Sequence, residues 1–110
     1  MTFWNSLQQM VDESEIKIDR PKDSAHPRYP DYIYPLDYGY LEGTTSGDGD
    51  GIDCWVGSLG SKDVTGAVVI VDPVKKDSEI KVLLGCASED MDTILKCHQR
   101  GSMDGILITK

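Results

Sequence analysis

The chain has 110 residues, a length that sets the expectation of one domain over residues 1–110, and its 19 acidic and 11 basic side chains leave a formal net charge of −8. Fourteen of the acids are Asp and only five are Glu, and no run of Lys and Arg interrupts them. A surface of this sign repels phosphate backbones and anionic headgroups, which excludes sequence-independent nucleic-acid binding and a basic membrane-surface role.

The opening stretch MTFWNSLQQMVDESE has no basic region, no continuous apolar run and no small-residue cleavage site, so it does not read as a signal peptide. Phe3, Trp4, Leu7, Met10 and Val11 fall near helical spacing, which predicts a short helix or a docked arm over residues 1–14. From Glu15 to Arg20 the pattern alternates, Ile16 and Ile18 against Lys17 and Asp19, as in a half-buried strand that Pro21 ends. Residues 21–40 hold four of the five prolines and a dense set of tyrosines with no sustained period, and are read as an ordered loop.

Further strands are expected at Ile52–Val56, at the β-branched run Ala67–Val71, at Ser78–Leu84 and at Gly105–Thr109. The clearest helix begins near Ser88, which can cap it, and carries Glu89, Asp90 and Asp92 at its positive end. Lys96 and Arg100 lie toward the negative end, and Gly101 is the stop signal. Met91, Ile94, Leu95 and His98 form its apolar stripe, and His98 is read there as a packed residue. Five short strands and one packed helix predict an α+β fold, mainly β, with a small five-stranded barrel. Cys54, Cys86 and Cys97 are odd in number and match no zinc or redox spacing. They read as reduced thiols and, with no apolar run of about 20 residues, the expected location is cytoplasmic.

Asp48-Gly49-Asp50-Gly51-Ile52-Asp53 puts three carboxylates within six residues, and no Lys or Arg lies between Asp31 and Ser61. Two carboxylates about 4 Å apart repel by roughly 1 kcal/mol in water and by about 4 in a partly desolvated cleft. A divalent cation offsets that repulsion, and hard oxygen donors select Mg²⁺, Mn²⁺ or Ca²⁺ over zinc. The alternative is a solvated Asp-Gly turn. An EF-hand is excluded: with Gly51 at the sixth loop position, Gly57 stands where the bidentate Glu is required.

The stretch Tyr34-Pro35-Leu36-Asp37-Tyr38-Gly39-Tyr40, followed by Asp48-Gly49-Asp50-Gly51-Ile52-Asp53, resembles the family I soluble inorganic pyrophosphatases, in which a Tyr-Gly segment precedes a D-G-D-P-x-D signature. Weaker likeness extends to Ile18–Ser24 and to Glu79-Ile80-Lys81-Val82. The resemblance implies an OB-like barrel and Mg²⁺-dependent hydrolysis of pyrophosphate, or a similar small phosphoanhydride, by metal-activated water, with Mn²⁺ as a substitute ion. It implies that Asp48, Asp50 and Asp53 are metal ligands, that Asp50 also deprotonates the water, and that Tyr38 and Lys81 contact phosphate. A homo-oligomer is implied as well. The family's cationic hairpin before the tyrosines is missing, which leaves Arg28 as the candidate phosphate contact. One expected acidic-loop carboxylate is replaced by the Pro73–Ser78 stretch, which leaves Glu79 or Asp77 as the fourth metal ligand. The competing reading is a non-catalytic relative that binds metal and a phosphorylated ligand or a protein partner.

Overall fold

The computed structural model describes residues 2–110; Met1, part of the expected 1–14 helix or arm, lies outside them. The N-terminal segment is a helix, α1 (Phe3–Asp12). Thr2 caps it: its hydroxyl accepts from the Asn5 N–H at 3.1 Å, and Asn5 Oδ1 accepts from the Thr2 N–H at 3.3 Å. Strands β1 (Glu15–Arg20), β2 (Asp37–Glu42), β3 (Ile52–Val56), β4 (Val64–Asp72) and β5 (Asp77–Leu84) follow, then α2 (Ser88–Cys97) and β6 (Asp104–Thr109).

Five strands stand where the alternation predicts them, and β2 corrects the reading of residues 21–40 as loop throughout. Its sequence, Asp-Tyr-Gly-Tyr-Leu-Glu, carries only Leu41 as an aliphatic, so it lacks the signal of its neighbours. The six strands form one sheet in the order β1-β2-β3-β5-β4-β6, antiparallel except for the β3–β5 pair. β1 and β6 are the sheet's edges, so it stays open where a closed five-stranded barrel was expected. Ser88 is the first helical residue of α2 rather than its cap; Ala87 holds that position, and the Asp90 carboxylate accepts from the Ala87 N–H at 2.9 Å.

Side chains alternate across the sheet, and each face has its own apolar cluster. One gathers Leu41, Cys54, Val82 and Leu84 under Leu7 and Val11 of α1. Gln8 of α1 fixes that contact by accepting from the Val64 N–H at 2.8 Å. The other gathers Trp55, Val68, Ile70 and Leu83 under Ile94 of α2, with Tyr34 and Leu36 closing its side. All three thiols are free, and burial pushes Cys54 up to about 12 and Cys86 to about 11, which keeps both protonated. Among the described residues, no helix is long and apolar enough to cross a membrane.

Candidate functional site

The face under α2 is apolar only in part. Tyr38 pairs with Trp55 and Tyr40 with Asp53 across β2–β3, and Cys54 pairs with Val82 across the parallel β3–β5 ladder. The period of two therefore sends Tyr38, Asp53, Trp55 and Lys81 to one side of the sheet. There the Lys81 ammonium, on a residue only 5% exposed, meets Asp53 Oδ2 at 2.5 Å and Glu79 Oε2 at 3.4 Å, and donates to Tyr38 Oη at 3.1 Å.

These contacts set the local electrostatics. Burial raises the pKa of Glu79, Lys81 pulls it back, and the negative charges of Asp53 and Asp48 add to the rise. Burial, then the charge on Asp53, drives Tyr38 far upward, so its hydroxyl keeps its proton. Tyr38 Oη accepts from Lys81, and hydrogen bonding of its own proton toward the Asp53 carboxylate adds to the rise.

Asp48 and Asp50 sit in the loop between β2 and β3 and are exposed. The Asp48 carboxylate accepts from the Ser46 hydroxyl and, at 2.9 Å, from the Asp50 N–H, which together hold its pKa below the usual range. The Asp50 carbonyl closes the turn by accepting from the Ser46 N–H at 2.7 Å. Gly49 takes φ +88 at the tip, where a side chain is strained. The structure thus brings Asp53, Glu79, Lys81 and Tyr38 together, with Asp48 in their field. The Asp50 carboxylate makes no hydrogen bond or ion pair among the described residues.

Tyr38, Glu79 and Lys81 of this cluster line a cavity of about 580 Å³ between the 21–36 segment and the C-terminal end of α2, while Asp53 stays outside its lining. Arg28 lies outside its lining, with the guanidinium 5.7 Å from the centre of the Tyr29 ring. Besides Lys81, the cations at the cavity are Lys75 and Arg100, the latter 4.7 Å over the Tyr32 ring. Neither is a substrate contact in the sequence reading. Lys75 comes from the turn between β4 and β5 and Arg100 from beyond α2, and no local pattern joins them. His98 also lines the cavity. It is packed, as its place on the apolar stripe predicts, with Nε2 accepting from Trp55 Nε1–H at 3.0 Å. An indole nitrogen only donates, so a neutral His98 carries its proton on Nδ1, which is buried and has no partner among the described residues. Burial, then the charge of Lys81, lowers its pKa to about 4.

The donors Asp48, Asp50, Asp53 and Glu79 are all carboxylate oxygens, a set whose chemistry fits a hard divalent cation. Among the described residues, however, no group of three or more His, Cys, Asp or Glu side chains is already arranged to hold a metal ion. Asp48 is turned to Ser46, and the charge balancing Asp53 and Glu79 is the Lys81 ammonium.

Comparison with known proteins bears on the same elements. A search of curated protein sequences finds no match. Three solved structures share the fold. The chain is similar to an inorganic phosphatase from Anaplasma phagocytophilum at 18% identity and TM-score 0.59, covering 86% of this chain and 81% of that one. It is similar to the inorganic pyrophosphatase of Helicobacter pylori at 14% identity and TM-score 0.58, with the same coverage. An inorganic pyrophosphatase from Coxiella burnetii matches at 15% identity and TM-score 0.54, over 86% of this chain and 82% of that one. The model of the inorganic pyrophosphatase family matches residues 7–105, a span that takes in both sheet faces, the acidic loop and α2, and the chain therefore belongs to the inorganic pyrophosphatase family.

Proposed function

We propose that the protein hydrolyses inorganic pyrophosphate to two phosphates in a Mg²⁺-dependent reaction. The observation that carries this reading is the Asp53–Lys81–Glu79–Tyr38 cluster at the cavity, with the Asp48–Asp50 loop leading into the same strand. Asp48, Asp50, Asp53 and Glu79 are the residues that would hold the ion, which when bound supplies neutralisation of phosphoryl charge and a lowered pKa for water.

The chain's own groups divide the remaining work. Asp50, exposed and uncommitted, accepts the proton of the attacking water. Tyr38 donates its retained proton to a phosphate oxygen, and Lys81, already its neighbour, offsets charge on the departing phosphate. Arg100 and Lys75 supply the cationic contacts at the cavity that the sequence reading gives to Arg28.

The test is phosphate release from pyrophosphate with Mg²⁺, with chelator, and with Asp50→Asn. Metal-dependent release that the variant loses supports the reading; no release, or equal release by the variant, overturns it. A second reading, a non-catalytic relative that binds a phosphorylated ligand, is favoured by the pairing of Lys81 with two carboxylates and by the missing contact between Asp50 and the cluster. Pyrophosphate binding without phosphate release selects it.

A further inference from the structure

The cavity exceeds what the ionic cluster uses. At about 580 Å³ it falls in the range that holds drug-sized molecules, more room than a pyrophosphate ion needs. Beside a mixed stretch that includes Ile70, Asp72, Ser102 and Met103, one stretch of the remaining wall is aromatic. His26, Tyr29 and Tyr32 line it, the His26 ring centre lying 5.2 Å from that of Tyr29 and 6.2 Å from that of Tyr32. Tyr34, stacked with His26 at 6.1 Å, backs them from the core.

These rings do not finish a core. Tyr29 is 59% exposed, and His26 and Tyr32 are only partly buried. Tethers hold the wall in place: the His26 N–H donates to the Tyr32 carbonyl at 2.9 Å, and His26 Nδ1 accepts from the Arg28 and Tyr29 N–H groups at 3.0 and 3.2 Å. Fixed, partly open aromatic faces beside cationic groups are what a flat ring attached to phosphates needs. Arg100, over Tyr32, stands at this end.

We propose that the cavity takes an organic phosphoanhydride ending in a planar heteroaromatic ring, the chemistry of a nucleoside di- or triphosphate, with the ring against His26, Tyr29 and Tyr32 and the anhydride at Lys81. This rests on the phosphoanhydride-hydrolase reading above and narrows its substrate class. In the reaction, the water oxygen bonds to the distal phosphorus while the bridging P–O bond breaks with its electron pair on the departing nucleotide, a monophosphate from a diphosphate and a diphosphate from a triphosphate. The water proton passes to Asp50 and then to solvent.

The experiment compares ADP with pyrophosphate as substrates and measures AMP binding by calorimetry, for the native protein, Tyr29→Ala and Tyr32→Ala. Tyr29 is exposed enough for its variant to fold even where Tyr32→Ala does not. The expected result is AMP binding and conversion of ADP to AMP and phosphate. Each alanine variant weakens AMP binding about tenfold and lowers the ADP-to-pyrophosphate ratio of kcat/KM by a similar factor. Pyrophosphate turnover with neither AMP binding nor ADP hydrolysis overturns the inference and leaves the pyrophosphatase reading standing. ADP hydrolysis without pyrophosphate turnover supports the inference and overturns that reading. A ratio and an AMP affinity that neither variant moves overturn the inference.

Discussion

The two faces of the sheet are built from the same strands and carry different work. On the α1 side, β2, β3 and β5 present Leu41, Cys54 and Val82, all fully buried. On the α2 side, the neighbouring positions are Tyr38, Asp53 and Lys81, tied by an ion pair and a hydrogen bond. An odd step along each strand, one residue in β3 and β5 and three in β2, separates a dry core from a charged cluster. The apolar face fixes the sheet, so the other face can hold a buried lysine between two carboxylates without relying on that pair for the fold.

The comparison breaks most sharply at Asp50, which neither face packs. Asp50→Asn is expected to cut phosphate release by about 10³-fold with an unchanged melting temperature; a parallel loss of stability removes the distinction between loop and scaffold. On the apolar face, Leu41→Ala should cost about 3 kcal/mol in urea unfolding, since Leu41 is fully buried, while the KM for pyrophosphate holds.

Acid sharpens the contrast through His98. Its pKa is about 4 folded against 6.5 for a free imidazole, so between these limits the unfolded chain binds more protons than the folded one. Stability on this account is flat above pH 6.5, falls as pH drops toward 4, and loses about 3 kcal/mol in all. His98→Gln, which keeps an acceptor for Trp55 and cannot ionise, should flatten that limb when unfolding is measured at pH 7, 5.5 and 4.5.

The smallest effect belongs to the ion pair. Lys81→Met leaves Asp53 and Glu79 facing each other. Their side chains are 28% and 21% exposed, so solvent screening holds the expected loss to about 2 kcal/mol at pH 7. The loss should shrink at pH 5, because Glu79, already raised by burial, can then take up a proton.

Legibility in the sequence followed local period. Five strands and α2 were readable because aliphatic alternation or a stripe marks each. Strand β2 was not, because Gly39 and two tyrosines hide its inward side. The spacing of Asp48, Asp50 and Asp53 marks the acidic segment as a unit of interest but cannot separate their environments. Asp53 lies within a strand, Asp48 is held by Ser46, and Asp50 is open. Arg100 and Lys75 had no such signal, since only the three-dimensional fold brings the residues after α2 and the β4–β5 turn to the same cavity. The partnership of Asp53 with Lys81 was hidden for the same reason: it depends on the parallel pairing of Cys54 with Val82.

Gly39 makes this arrangement hard to slip. It pairs with Ile18, and a Cβ placed on it would stand 1.8 Å from the Lys17 carbonyl oxygen, inside the backbone of β1. Its two neighbours are Tyr38 and Tyr40, so sliding β2 by one residue in either direction drives a tyrosine into a gap that rejects even a methyl group. The same slip turns Leu41 out of the core and Tyr38 away from Lys81. One missing side chain thus acts as a ratchet tooth on the β1–β2 pair, holding in register the strand that delivers the site's tyrosine.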